Sequence, residues 1–172
     1  VRARAAQSPS WPDCKRAQKH ATSAIYAADG SKLGAIASSE ARDPVTIAAI
    51  PKSLQHATVA IEDQRFYQHG GVDTQGILRA AVTDLEAGEA VEGGSTITQQ
   101  LVRSLCIEHP QKNIERKIVE AKLAIEYSEH HSRNQILGQY LNNASYGTIE
   151  GSTAVGVGAA ARTCTTRAPL VA

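Results

Sequence analysis

The chain has 172 residues, enough for one domain to bury most of its apolar surface without a metal or disulfide framework and too few to call for a second. With 18 Lys and Arg against 17 Asp and Glu, the net charge is +1, so nothing global selects nucleic acid as a partner, and any anion binding must be local. One Phe and one Trp among abundant Ala, Gly, Ile, Leu and Val favour closely packed helices, a mainly α fold, over a large β-sandwich.

No apolar run approaches the ~20 residues of a membrane span, and Val1-Arg2-Ala3-Arg4 is followed by no apolar signal core, so neither an anchor nor an export signal is expected within this chain. A Val start without any Met points to a literal start codon or to a piece of a longer protein. Cys14, Cys106 and Cys164 are odd in number and far apart, matching neither a zinc spacing nor a disulfide framework, so unpaired thiols are expected.

Residues 1–22 mix Arg, Lys, Gln, Ser and Pro without periodicity and read as a linker or disordered tail, leaving 23–172 as the domain. Ser23 to Ala27 and Lys32 to Ile36 flank Asp29-Gly30, a dipeptide that tolerates the positive φ of a tight turn, which predicts a β-hairpin. Pro51 opens a helix in which Leu54, Ala57, Thr58 and Ile61 recur at helical spacing, ending at Glu62. Asp73 is placed to cap the next helix, whose Ile77, Leu78, Ala81, Val82 and Leu85 form one stripe before Gly88.

Ser95 follows two glycines and is expected to cap a helix carrying Ile97, Leu101, Val102 and Leu105, which stops before Pro110. A long helix runs from about Asn113 to about His130, with Ile114, Ile118, Ala121 and Ile125 as its buried stripe and Arg116, Glu120 and Ala124 on a flanking face. Ser132 and Gln135 form a capping box for a helix through Ile136, Leu137, Tyr140 and Leu141, closed by Asn142-Asn143. The Gly- and Ala-rich stretch from Tyr146 to Ala161 reads as a loop entering one more helix.

Chemistry concentrates in the middle of the chain. Glu62 and Glu120 are the two carboxylates to place in a cleft, since glycosyl chemistry uses one group for the nucleophile's proton and another on the leaving side; a solvated helix position is the commoner role for either alone. Gly93-Gly94-Ser95-Thr96 puts free N–H groups and hydroxyls at a helix start, where they suit a phosphate or sugar oxygen, or simply enter the helix. Arg79, Arg103, Lys112 and Arg116 lie on successive helical segments and suit a pyrophosphate if those segments converge, or solubility if they do not. His69, between Phe66 and Gly70-Gly71, more readily holds a turn than moves a proton, and Phe66 suits core packing at least as well as sugar stacking.

Together, Glu62-Asp63 with Phe66, His69, Gly71 and Asp73, then Gly93 to Gln100, then Arg116-Lys117 with Glu120, and last Ile136-Leu137 with Tyr140-Leu141-Asn142, resemble the peptidoglycan glycosyltransferase family, from about residue 23 to about residue 162. This is the transglycosylase domain of class A penicillin-binding proteins and of monofunctional transglycosylases. The resemblance implies a lysozyme-like helical lobe with a smaller jaw lobe, acting on lipid II and the growing glycan strand at the outer face of the bacterial cytoplasmic membrane. It implies Glu62 as general base toward the acceptor's 4-hydroxyl, an undecaprenyl pyrophosphate leaving group, inversion to a β-1,4 bond, and Glu120 as a second carboxylate beside the pyrophosphate.

On the same basis Arg79, Arg103, Lys112 and Arg116 would contact donor phosphates, and Ser95, Thr96, Gln99 and Gln100 would line the cleft. Asp63, Phe66, His69, Gly71, Gly93, Gly94 and Asn142 would be structural members of the motifs. No cofactor is obligatory and no protein metal site is certain, although the resemblance allows a divalent cation (Mg or Mn) at the donor pyrophosphate, and it implies a transpeptidase domain in a bifunctional parent.

Two departures stand out. Gly138 replaces the Glu usual before the Tyr-Leu-Asn run, at a cost of about 1 kcal/mol for a mid-helix position. After Arg162 the chain reads Thr163-Cys164-Thr165-Thr166-Arg167 in place of the family's aromatic-Gly turn and further helix, which points to a truncated or frame-shifted end. A lytic, lysozyme-like glycan cleaver and an inactive lipid II-binding remnant are the competing readings.

Overall fold

The computed structural model describes residues 23–35, 39–77, 94–107, 114–149 and 151–165. The expected tail 1–22, the body of the helix drawn from Leu78 to Leu85, and Arg79, Gly93 and Lys112 lie outside these residues. The architecture is the mainly helical, lysozyme-like one expected, with an N-terminal hairpin and small sheets. The described residues divide into two compact units, one within 51–137 and the other within 23–50 and 138–165.

In the first unit, α1 (Lys52–Glu62) starts after Pro51, whose fixed φ of −54° suits a helix entrance. Its end falls at Glu62, as the sequence predicts, because Asp63 leaves helical geometry at φ −163°. The buried face differs from the expected stripe: Gln55 and Val59 are buried, whereas Leu54 and Ile61 are exposed. Helical conformation resumes at residues 74–77, where the Asp73 carboxylate accepts the Gly76 amide at 2.9 Å, the cap predicted for that position.

The next two helices, α2 (Ile97–Cys106) and α3 (Ile114–His130), pack on one another. Ile97, Leu101 and Val102 turn inward from α2, and Leu123, Ala124 and Tyr127 from α3, joined in the core by Phe66, Ile136 and Leu137. On α3 the expected stripe is corrected: Ile114 is 79% and Ile118 65% exposed, while the face of Glu120, Leu123, Ala124 and Tyr127 is buried. The face carrying Arg116, Glu120 and Ala124, which the pattern makes a flanking one, is the inward one. Cys106 is disulfide-bonded, which corrects the expectation of a free thiol there.

Helix α4 (Arg133–Asn143) begins in the first unit and ends in the second. Its capping box is present: the Ser132 amide donates to Gln135 Oε1 at 2.8 Å and the Gln135 amide to Ser132 Oγ at 3.3 Å.

In the second unit, β1 (Ala24–Tyr26) and β2 (Lys32–Ala35) form the antiparallel hairpin around Asp29 and Gly30, with Gly30 at φ +83°. The Ser31 hydroxyl and then its amide donate to the Asp29 carboxylate, holding its pKa below the ordinary aspartate value.

A three-stranded sheet follows in the order β3-β5-β4, formed by β3 (Glu40–Arg42), β4 (Ser145–Ile149) and β5 (Ser152–Val155). The loop expected after Tyr146 is therefore a hairpin, turning at Gly151 (φ +79°), before α5 (Val157–Thr165). Asn142 fastens α4 to the segment after β3: its Oδ1 accepts the Val45 amide at 2.9 Å and its Nδ2 donates to the Val45 carbonyl at 2.8 Å. Gly138 leaves α4 unbroken, and a Cβ built there would lie 3.3 Å from Ile47 Cβ, so the glycine makes room for that side chain. The helix accepts a weak former in exchange for the contact.

Candidate active site

Apart from Asn142, every described candidate lies in the first unit. Asp63 organises the entrance to the site. Its buried carboxylate accepts the Ile97 amide through Oδ2 at 3.1 Å and faces His69 Nε2 through Oδ1 at 2.8 Å. Ile97 is the first residue of α2, so an anionic side chain satisfies one of the unpaired N–H groups at that helix start. His69 Nδ1 in turn lies 2.7 Å from the Gly70 carbonyl, which fixes the ring as a brace across the loop after α1.

The second motif divides into members that build the start of α2 and members that bond to residues of α1 and α3. Thr96, and not Ser95, is the N-cap of α2: its hydroxyl accepts the Gln99 amide at 3.1 Å while Gln99 Oε1 accepts the Thr96 amide at 2.9 Å. A capping box needs Glu or Gln three residues on, and only Thr96 has one, so the signal was present in the sequence. The Thr96 hydroxyl also donates to the Gly71 carbonyl at 2.7 Å, and both Thr96 and Gln99 are buried. Ser95 instead accepts Lys117 Nζ at 2.6 Å, joining α3 to the segment before α2 and giving Lys117 a place at the site that the sequence reading had not assigned.

Gly71 sits where the loop meets α3, and a Cβ built on it would lie 2.0 Å from the Ala124 carbonyl oxygen. No side-chain motion relieves a clash with backbone. Gly71→Ala is therefore expected to lower stability by about 1–3 kcal/mol, read as a fall in Tm by thermal unfolding, because the loop must lift off α3. Phe66, fully buried, anchors the middle of the same loop, with the exposed Tyr67 ring edge-on to it at 5.0 Å.

Two carboxylates remain, in opposite settings. Glu62 is exposed at the end of α1, and its Oε2 accepts Gln100 Nε2 at 2.9 Å, so an amide from α2 orients a carboxylate that stays open to solvent. Glu120 is fully buried on α3. Arg116 Nη1 lies 3.2 Å from its Oε1, one turn earlier on the same helix, and Arg103 Nη1 approaches from α2 at 3.9 Å. Among the described residues, neither oxygen of Glu120 accepts an aligned hydrogen bond. The two guanidinium groups offset the cost of a buried anion, and both retain some solvent exposure.

No group of three or more His, Cys, Asp or Glu side chains converges among the described residues, and the Glu120 carboxylate faces guanidinium groups. That donor set does not fit a divalent cation held by protein carboxylates. Among the described residues no helix is long and apolar enough to cross a membrane.

On the helices of the first unit, Glu62 thus presents a solvent-facing carboxylate steadied by an amide, and Glu120 a buried carboxylate set among guanidinium groups. The model of the family described as Transglycosylase matches residues 29–168, and the chain belongs to that family. It is similar to penicillin-binding protein 1A of Escherichia coli (strain K12), at 45% identity over 138 residues, covering 80% of this chain and 16% of that protein. It is also similar to penicillin-binding protein 1F of Bacillus subtilis (strain 168), at 40% identity over 135 residues, covering 78% of this chain and 19% of the relative. Penicillin-binding protein 2D of the same organism is 45% identical over 123 residues, 72% of this chain and 18% of that protein. The chain thus spans less than a fifth of the length of these relatives.

Proposed function

We propose that this chain is a peptidoglycan glycosyltransferase domain that polymerises lipid II into β-1,4-linked glycan and releases undecaprenyl pyrophosphate. The observation that carries the reading is the unlike pair of carboxylates, Glu62 open to solvent and Glu120 enclosed with Arg103 and Arg116, in a chain of the transglycosylase family. Exposure suits Glu62 to a substrate hydroxyl. Its carboxylate takes the proton of the acceptor's 4-hydroxyl as that oxygen forms a bond to the donor's anomeric carbon. The bond from that carbon to the pyrophosphate oxygen breaks in the same displacement, so configuration inverts from α to β and no covalent enzyme intermediate forms.

Negative charge grows on the departing pyrophosphate. Arg103 and Arg116, with Arg79 and Lys112 as expected from the motifs, supply preorganised positive charge, and Glu120 holds the two described guanidinium groups in place. In this reading Ser95, Gln100 and Lys117 line the cleft, supported by the bonds of Ser95 to Lys117 and of Gln100 to Glu62, while Thr96 and Gln99 serve it by capping α2. A divalent cation, where one takes part, arrives on the pyrophosphate and is not held by these carboxylates. The setting we propose is the outer face of the bacterial cytoplasmic membrane, with a transpeptidase domain elsewhere in a longer parent.

The test offers the purified chain two substrates. Lipid II is expected to be consumed with release of undecaprenyl pyrophosphate, while purified cell wall yields no soluble fragments. Soluble fragments from cell wall without lipid II consumption would identify a lytic enzyme, and lipid II binding without turnover would identify a binding remnant.

A further inference from the structure

We propose that Arg133 is a positioning residue for Glu62, acting through the loop that joins α1 to residues 74–77. Arg133 is the first residue of α4. Its Nη1 donates to the Gly70 carbonyl at 3.2 Å, its Nη2 donates to the His69 carbonyl, and its Cζ lies 5.4 Å from the centroid of the Phe66 ring. One planar group thus grips two consecutive carbonyls and covers the aromatic side chain that anchors the same loop. A guanidinium has the fork of donors and the flat face for this, and an ammonium has neither.

The gripped residues lead directly to the general base. His69 Nε2 meets Asp63 Oδ1 at 2.8 Å, Asp63 follows Glu62 in the chain, and Asp63 Oδ2 receives the first amide of α2 at 3.1 Å. Further along α2, Gln100 holds the Glu62 carboxylate. The placement of Glu62 against Gln100 therefore depends on a loop fastened on one side by Thr96 and Ile97 and on the other by Arg133. Releasing the Arg133 side frees His69, loosens Asp63 on the α2 terminus, and lets the base drift from its amide. Small displacements of a reacting group cost about 10- to 100-fold in rate. Arg133 itself touches no reacting atom.

This inference rests on Glu62 being the base, so the experiment has one arm that needs activity and one that does not. Arg133→Ala and Arg133→Lys are made in the 172-residue chain. In the first arm, lipid II turnover is measured over a range of lipid II concentrations. Arg133→Ala is expected to lower kcat about 10-fold or more with KM nearly unchanged, Arg133→Lys to restore only part of it, and millimolar guanidinium chloride to raise the turnover of Arg133→Ala but not of the parent.

In the second arm, hydrogen exchange at the Ile97 amide is expected to speed up about 10-fold in Arg133→Ala, with helical circular dichroism retained. An unchanged kcat, a loss carried by KM, or Ile97 exchange equal in all three proteins would overturn the proposal. If the parent chain turns over no lipid II, the functional reading fails and the Ile97 amide alone decides on Arg133. If Arg133→Ala does not fold, the same two readings on Arg133→Lys decide.

Discussion

Glu62→Gln is expected to reduce lipid II polymerisation by about 10²–10⁴-fold, the usual contribution of a positioned general base. The substitution keeps the shape of the side chain, and a glutamine carbonyl still accepts the Gln100 amide that holds Glu62 Oε2 at 2.9 Å. Because Glu62 is exposed at the end of α1, its replacement should move stability by no more than about 0.5 kcal/mol. Activity and stability are thereby separated. Circular dichroism and thermal unfolding should match the parent chain while glycan strands, separated by electrophoresis, disappear. Polymerisation that survives the change would remove Glu62 from the role of base.

Arg116→Ala and Glu120→Gln probe the second carboxylate and are expected to differ sharply. Removing Arg116 takes away the nearer of the two described guanidinium groups and leaves a fully buried carboxylate with, among the described residues, only Arg103 at 3.9 Å. Stranding a buried charge typically costs 3–5 kcal/mol, and the remaining Arg103 places the expected loss near the lower end, about 3 kcal/mol. Glu120→Gln removes the anion instead. The two guanidinium groups keep 33% and 14% side-chain exposure, while the desolvation cost of a buried carboxylate with no aligned hydrogen bond among the described residues is relieved. Stability should therefore hold or rise, measured by denaturant unfolding.

Turnover of Glu120→Gln should nonetheless fall by about 10²–10³-fold, since under the proposed function the charge that sets both cations toward the leaving group is lost. A residue whose neutral isostere is as stable but inactive is kept for chemistry and not for folding. The opposite ordering, with Glu120→Gln far less stable than Arg116→Ala, would make Glu120 a structural ion-pair partner.

Local signals were legible wherever the determinant lies within a few residues. The Asp29-Gly30 turn, the cap at Asp73, the capping box at Ser132 and the end of α1 at Glu62 all follow from residues in direct sequence contact. Helix faces were less legible. In α1 and α3 the isoleucines made the most regular apolar stripe, yet Ile61 and Ile118 are exposed, and polar Gln55 and charged Glu120 point inward. Hydrophobic periodicity finds the buried face only when polar residues stay outside, and around a site of this kind they do not.

The long-range part of the fold carried no local signal at all. Strand β3 pairs in parallel with β5 across more than half the chain, Glu40 opposite Thr153, and the Asp63 to Ile97 hydrogen bond spans a difference of 34 positions. Resemblance supplied the members of the site, and the fold sorts them: Thr96 and Gln99 into a helix cap, Ser95 and Gln100 toward Lys117 and Glu62. Arg133 carries no sequence signal because its partners are backbone carbonyls, which no side-chain motif records.

The central claim is transfer with inversion from a lipid pyrophosphate, and the linkage in the product tests it most directly. The chain is incubated with lipid II labelled at the anomeric carbon, and the configuration of the new bond is read by NMR alongside the released lipid. β-1,4 linkages are expected, formed in step with one undecaprenyl pyrophosphate for each bond. Retained α configuration, or free reducing sugar released without any new glycosidic bond, would contradict it.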